Sequence, residues 1–147
     1  CAQHSHAQCP QLPVRTGQDY FMISIAVCDD NEITAQEISE KVKQCCPIEA
    51  EVSVFYHIKD ILFSIHNENK LFDIIFMDPP YHLDLEERIV PYLLQSSLVK
   101  AGSLIIVETA LDTDVDYMYE LGCEVERIKE YKTNRHVFLR VSSETEA

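Results

Sequence analysis

The sequence predicts an α/β domain built on a doubly wound, mostly parallel sheet. Short apolar runs, such as residues 22–28 and 73–77, alternate with segments whose apolar residues have helical spacing. Runs that are apolar throughout indicate strands buried on both faces, as in parallel sheets. Near the end of the chain, a short turn separates 123–129 from 136–141, so these two strands are expected to form an antiparallel hairpin.

The first half of the chain supplies three strands separated by two helices. The expected strands lie at 22–28, 52–56 and 73–77, and the second helix lies at 60–66. Asn31 is of a residue type that caps helices. Pro47 ends the first helix, because proline has no amide hydrogen to donate.

The second half continues with a helix, a strand, a further helix and the hairpin. Asp84 and Glu87 have the spacing of a capping box ahead of an apolar helix. A buried strand follows at 104–107. The next helix is expected over 114–121 and closes at Gly122, a usual residue after a helix end.

The chain has 147 residues, a length that suits one domain with a buried core. Its formal net charge is -13. The expected organisation is a disordered leader over 1–21 and a single α/β domain over 22–147. No apolar run approaches the ~18 residues of a membrane span, and no signal peptide is recognisable. A cytoplasmic protein with no membrane partner is therefore expected, and its oligomeric state stays open.

The charge also bears on nucleic acids as partners. Phosphate contacts dominate nucleic-acid affinity, so the acidic balance argues against strong autonomous binding of RNA or DNA. A local basic cluster remains at Arg127, Lys129, Lys132 and Arg135.

The most informative stretch is Asp78-Pro79-Pro80-Tyr81, which follows the buried strand 73–77. Ligands of open α/β sheets bind at the carboxyl ends of strands, where Asp78 is expected. This tetrapeptide resembles the amino-methylating motif of S-adenosylmethionine-dependent methyltransferases. The resemblance implies that an Asp oxygen and the carbonyl after it accept both N–H bonds of an exocyclic amine, and that the prolines hold that carbonyl rigidly. The Tyr81 ring can stack on a flipped-out base, which is worth about 1–3 kcal/mol. The alternative is a tight turn after a core strand.

Residues 72–141 resemble the C-terminal half of the bacterial 16S rRNA guanine-N2 methyltransferase family (RsmD type). The resemblance rests on this DPPY motif, on Ser-Ser-Leu-Val-Lys-Ala-Gly-Ser-Leu-Ile-Ile-Val-Glu and on Tyr-Lys-Thr-Asn-Arg-His-Val-Phe-Leu. It implies S-adenosylmethionine (SAM) as the cofactor and rRNA as the partner. It also implies a catalytic motif made of Asp78, Pro79, Pro80 and Tyr81.

Residues 22–78 resemble the receiver domain of response regulators, of the kind that carries a LytTR-type DNA-binding domain. The matching segments are Ile-Ala-Val-Cys-Asp-Asp-Asn, Phe-Tyr-His-Ile-Lys-Asp-Ile-Leu and Phe-Asp-Ile-Ile-Phe-Met-Asp. This resemblance implies Mg2+ bound by Asp29, Asp30 and Asp78. It further implies that Asp78 accepts a phosphoryl group from a histidine kinase partner.

The two resemblances meet at strand 73–77 and together indicate a hybrid, or chimera. They imply a Rossmann-like or flavodoxin-like sheet of strand order 2-1-3-4-6-5, with the last strand antiparallel. The loop 29–32 contains no glycine, and His57 follows the second strand where the methyltransferase family has an acidic residue. The SAM site is therefore expected to be incomplete, with its residues unassigned. Three possibilities stay open: an incomplete methyltransferase, a receiver, or a folded hybrid with neither activity.

Overall fold

The computed structural model describes residues 22–67 and 70–143. Its elements are, in order, β1 (Ile23–Asp29), α1 (Glu32–Cys45), β2 (Ala50–Phe55), α2 (Ile58–Asn67), β3 (Ile74–Asp78), α3 (Leu85–Leu94), β4 (Leu104–Ala110), a 3-10 helix (Asp116–Glu120), β5 (Cys123–Glu130) and β6 (Asn134–Val141). The leader expected over 1–21 lies outside the described residues. None of the described helices is both long enough and apolar enough to cross a bilayer.

The six strands form one sheet of order β2-β1-β3-β4-β6-β5, which confirms the predicted order. β1 pairs in parallel with β2 and β3, and β3 pairs in parallel with β4. β6 runs antiparallel to both β4 and β5. The parallel strands therefore end at one edge of the sheet, and the loops that follow them meet there.

The larger part of the core lies on the sheet face covered by α2 and α3. Ile75 and Met77 of β3 and Val107 of β4 pack there with Ile61 of α2 and Leu93 of α3, all of them buried. Burying such a side chain contributes about 1.5–3 kcal/mol relative to leaving it in water. This packing fixes the position of β3, whose carboxyl end carries the motif at residues 78–81.

Helix α1 covers the opposite face over β1 and β2, where its buried Ala35 packs with Ile25 and Val27. The predicted cap at Asn31 is confirmed, since the Asn31 side chain accepts the amide N–H of Thr34 at 3.1 Å. The helix ends at Cys45, two residues before the proline that was expected to stop it. The path of the chain out of β1 is thus set by a local side-chain contact.

The predicted capping box ahead of α3 is wrong. Asp84 adopts a left-handed conformation, with φ 51°, and its side chain makes no capping hydrogen bond. A cap residue normally has an extended backbone, which lets its side chain reach the amides of the first turn. His82 also has a positive φ, of 62°, so the segment after the two prolines turns tightly before α3 begins.

The helix predicted over 114–121 forms only as the short 3-10 helix. The Asp114 side chain accepts the amide N–H of Asp116 at 2.9 Å, and this local turn sets the start of the element. Short 3-10 segments are common in tight connections between strands, as here between β4 and β5. Gly122 follows with φ 74°, consistent with the expected left-handed end.

Candidate active site at the carboxyl edge of the sheet

The candidate site is built around two aspartates on neighbouring strands. Asp78 is the last residue of β3 and lies in register with Asp29, the last residue of β1. The parallel pairing of β1 with β3 therefore brings two carboxylates side by side at the edge where open α/β sheets bind ligands. Asp30 follows in the loop and is exposed.

The site is unfavourable for negative charge, because its carboxyl groups are partly buried and lie close to one another. Burial, and then the nearby carboxylates of Glu108, Asp29 and Asp30, raise the pKa of Asp78 to about 7. Burial also raises the pKa of Asp29, although the Asp29 Oδ1 atom accepts the amide N–H of Asn31 at 2.8 Å. The other carboxylate oxygen of Asp29 is buried and has no hydrogen-bond partner among the described residues.

The two prolines and Tyr81 continue directly from Asp78. Pro79 is buried and Pro80 is half-buried, and their rings restrict the backbone φ angles at the strand end. The Tyr81 side chain is 37% exposed, and its hydroxyl donates a hydrogen bond of 2.6 Å to Glu108 Oε1. Burial, and then this bond, raise the pKa of Tyr81 above its ordinary value, so the phenol remains a neutral donor.

Glu108 is a member of the site that the motif did not reveal. Its Oε1 atom also accepts a 2.6 Å hydrogen bond from Asn134, and its Oε2 atom lies 3.2 Å from His136 Nε2. β6 brings these partners into place, since its antiparallel register sets His136 opposite Glu108. The available sequence signal was a single acidic residue directly after the apolar run 104–107.

A cavity of about 190 Å³ opens between the carboxyl ends of β1, β2 and β3. Asp78, Pro79 and Pro80 line it on one side, and Cys28 and His57 line it on another. Burial and the surrounding carboxylates raise the pKa of Cys28 to about 12, which keeps this thiol neutral. Such a thiol is not a nucleophile, since the thiolate is the reactive form.

The predicted Mg2+ site is not assembled in the part of the chain that the structure describes. Within residues 22–67 and 70–143, no group of three or more His, Cys, Asp or Glu side chains is placed to hold a metal ion. Asp30 is exposed, and Asp29 already uses one oxygen to accept the amide of Asn31. The structure thus brings Asp29 and Asp78 together without completing a metal-binding triad.

The sheet order, with the Asp-Pro-Pro-Tyr segment at the carboxyl end of β3, defines a Rossmann-like domain. The sequence model of the family described as Conserved hypothetical protein 95 matches residues 22–141, and the chain belongs to this family. The match runs through 22–78 as well as through 72–141. The comparisons therefore do not support a separate receiver half, and they do not support a chimera.

Two curated relatives match shorter segments. An uncharacterized methylase of Rickettsia prowazekii (strain Madrid E) is 36% identical over 75 residues, which are 51% of this chain and 31% of that protein. The ribosomal RNA small subunit methyltransferase D of Haemophilus influenzae is 42% identical over 41 residues, which are 28% of this chain and 21% of that protein. The matched segments thus span less than a third of the length of either relative.

A solved structure shows the same fold. A conserved hypothetical protein from Streptococcus pyogenes superposes with a TM-score of 0.57 and 13% sequence identity, covering 82% of this chain and 88% of that chain. At this identity the likeness concerns the architecture alone.

The loop after β1 does not fit SAM, the cofactor that the family resemblance implies. The amide N–H groups of Asn31 and Thr34 are already bonded to the side chains of Asp29 and Asn31, so they are not free for a ligand at the start of α1. Without glycine, side chains also keep a cofactor away from the loop backbone. The cavity of about 190 Å³ is smaller than the roughly 300–1,000 Å³ of most small-molecule sites.

Proposed function

We infer that this chain is a SAM-dependent methyltransferase homologue of the 16S rRNA (guanine-N2) type, with its amine-binding motif in place and its SAM site incomplete. The single observation that carries the inference is the Asp78-Pro79-Pro80-Tyr81 segment at the carboxyl end of β3. The family match over residues 22–141 supports it. The engaged amides of Asn31 and Thr34 and the small cavity support the incompleteness that we propose.

In this proposal each residue of the motif has a role toward a guanine base. The Asp78 carboxylate and the carbonyl that follows it accept the two N–H bonds of the exocyclic amine, and Pro79 and Pro80 hold that carbonyl in position. Tyr81 stacks on the base, which contributes about 1–3 kcal/mol. Its hydroxyl bond to Glu108 fixes the ring before the base arrives.

An rRNA partner is proposed on the strength of a relative. The matched Haemophilus influenzae protein is a ribosomal RNA small subunit methyltransferase, and guanine N2 is a group that the motif suits chemically. Since burial raises the pKa of Asp78 to about 7, the ionised carboxylate, which is the stronger acceptor of N–H bonds, predominates only above neutral pH. Base binding is therefore coupled to pH near neutrality.

The receiver function is the weaker candidate. It requires Asp29, Asp30 and Asp78 to share a Mg2+ ion, and the described residues contain no such metal-holding group. A histidine kinase partner and a phosphoryl group on Asp78 would both depend on that ion, because the neighbouring carboxylates otherwise oppose added negative charge. No specific observation favours this function over the methyltransferase homologue.

The proposal is tested by comparing guanosine with inosine, which lacks the exocyclic amine and is otherwise the same nucleoside. Each is titrated into the full chain at about pH 8 while NMR follows the Tyr81 ring resonances. We expect saturable shifts with guanosine, with Kd on the order of millimolar, and much smaller shifts with inosine. Equal responses to the two nucleosides, or none at Tyr81, would refute the amine-binding role.

A further inference from the structure

The hairpin of β5 and β6 carries a concentration of positive charge. Residues 123–141 contain five of the 12 Lys and Arg residues of the chain and three of its 25 Asp and Glu residues. The whole chain has a formal net charge of -13, so this segment differs sharply from the average surface. A local positive surface on an acidic protein indicates a place where a negatively charged partner can approach.

An irregularity in β5 decides which side chains share a face with the neighbouring strand. The pairing of β5 with β6 shifts between Val125 and Arg127, as in a β-bulge. After the shift, Arg127 pairs with Phe138 and Lys129 pairs with His136. Because side chains alternate between faces, one extra residue exchanges the set on each face.

The exchange replaces acidic residues by basic ones on that face. If the pairing continued past Val125 without the shift, Glu126 would pair with Phe138, Ile128 with His136 and Glu130 with Asn134. Those three side chains of β5 would then share this face. The bulge turns Arg127 and Lys129 toward it instead. Bulges often re-aim side chains next to functional sites.

The basic and aromatic side chains of this face are interleaved. The Arg127 guanidinium carbon lies 5.8 Å from the centroid of the Phe138 ring, and Lys129 Nζ lies 5.0 Å from that of Tyr131. The Tyr131 and His136 rings are 4.8 Å apart. Arg127, Lys129 and Tyr131 are exposed, and neither cation forms an ion pair within the described part of the chain. We call this set, Arg127, Lys129, Tyr131, His136 and Phe138, the hairpin stripe.

The hairpin stripe is continuous with the candidate active site. His136 Nε2 lies 3.2 Å from Glu108 Oε2, and Glu108 Oε1 accepts the Tyr81 hydroxyl at 2.6 Å. A chain of direct contacts therefore runs from Lys129 through Tyr131 and His136 to the residue proposed to stack on the base.

We propose that the hairpin stripe binds a single RNA strand and leads it to the Asp78–Tyr81 motif. Phosphates lie against Arg127 and Lys129, and a base stacks on Tyr131, as basic grooves with aromatic platforms bind single strands. An acidic peptide would use the cations but leave the exposed ring without a partner. The inference rests on the proposed function only in taking RNA as the substrate class. The negative net charge of the chain makes the expected binding weak, and its dependence on phosphate contacts makes it sensitive to salt.

The test is fluorescence anisotropy with a labelled single-stranded RNA of about 12 nucleotides and the full chain at low salt, on the order of 50 mM. The variant Arg127→Gln/Lys129→Gln removes two stripe cations. The matched control Lys41→Gln/Lys43→Gln removes two exposed cations from α1. We expect the stripe variant to lose roughly tenfold in affinity and to have a salt slope shallower by about 1.4, since each single-strand phosphate contact contributes about 0.7.

Three results would overturn the proposal. The first is no RNA binding by the wild-type chain at low salt. The second is a loss of affinity in the α1 control that equals the loss in the stripe variant. The third is that polyglutamate competes with the labelled RNA as effectively as unlabelled RNA of the same charge. Tyr131→Ala is expected to weaken binding by roughly fivefold or more without changing the salt slope, because stacking releases no counterions. If a uridine-only strand binds the stripe as well as a guanine-containing strand does, the stripe stands, and the guanine specificity of the motif fails separately.

Discussion

Asp29 and Asp78 are register partners on adjacent parallel strands. The buried Asp29 and the half-buried Asp78 therefore lie side by side at the carboxyl edge of the sheet. Glu108 adds a third carboxylate from near the end of β4, where it accepts the hydrogen bond of the Tyr81 hydroxyl. Both relationships have consequences that can be measured.

Asp78 is expected to make stability depend on pH near neutrality. Its folded-state pKa of about 7 lies above its ordinary value of 3.8, so folding favours the protonated form. This contribution is fully present below about pH 4 and is lost as pH rises through about 7. Compared with Asp78→Asn, the wild type should lose about 1–2 kcal/mol over that range, less than the full shift implies because solvent reaches part of the carboxyl.

The measurement for that prediction is thermal unfolding of both proteins at several pH values between about 4 and 8.5. The difference in Tm between Asp78→Asn and wild type should widen with pH and then level off. A difference that stays constant across this range would show that Asp78 has an ordinary pKa. Asp29, whose pKa is also raised, is present in both proteins, but it interacts with Asp78, so the difference in Tm reports on the titration of the pair.

Glu108→Gln is expected to lower the pKa of Asp78. The substitution removes a nearby negative charge that opposes ionisation of Asp78 and keeps an oxygen that can accept from Tyr81. A carbon-detected NMR titration of the Asp78 carboxyl should show its midpoint moving below 7. Glu126→Gln, which removes a carboxylate paired with Arg140 on the hairpin, is the matched control and should leave the midpoint in place.

The Tyr81 ring is expected to matter more to guanosine binding than its hydroxyl. Tyr81→Phe keeps the stacking surface and loses only the bond to Glu108, so its Kd should stay within about threefold of the wild-type value. Tyr81→Ala removes the stacking contribution of about 1–3 kcal/mol and should raise Kd by roughly fivefold or more. NMR titration with guanosine measures all three proteins.

The variant Asp30→Ala distinguishes the methyltransferase homologue from the receiver alternative. Asp30 is exposed and makes no proposed contact with the base, so guanosine binding should be unchanged at about pH 8, above the pKa of about 7 of Asp78. A receiver would depend on Asp30 for Mg2+. Loss of Mg2+-dependent phosphorylation by a small phosphoryl donor in Asp30→Ala, with wild-type phosphorylation present, would favour the receiver.

The cap at Asn31 is expected to stabilise the loop after β1. Asn31→Ala removes the side-chain acceptor for the amide of Thr34 and should cost about 1 kcal/mol of stability. Asn31→Ser keeps a capping oxygen and should cost much less. Urea unfolding of the three proteins tests this. Equal losses in the two variants would mean that the capping bond is not the source of the stability.

The sequence was informative about the sheet because apolar runs depend mainly on burial. The runs at 22–28 and 73–77 became the central strands, and the Asn31 cap needs only residues three apart. The hairpin was likewise predictable, since its two strands are close in sequence. These features are local, or are repeated along the chain, so no knowledge of the tertiary fold was needed.

The parts that the sequence did not reveal depend on contacts between distant residues. Glu108 and Tyr81 are 27 positions apart, and only the pairing of β3 with β4 brings them together. The Asp84 cap failed because the chain after Pro79 and Pro80 turns through left-handed conformations at His82 and Asp84. The face exchange at Arg127 requires the bulge, whose position depends on how β5 pairs with β6.

The most direct test of the central claim is calorimetric titration of the full chain with SAM in the absence of magnesium. An incomplete SAM site predicts no saturable heat at micromolar SAM, since the amides of Asn31 and Thr34 are engaged and the adjoining cavity is about 190 Å³. Guanosine should still perturb Tyr81 in the same preparation. Saturable binding of SAM at micromolar concentration would contradict the account and would show that the loop forms a working cofactor site without glycine.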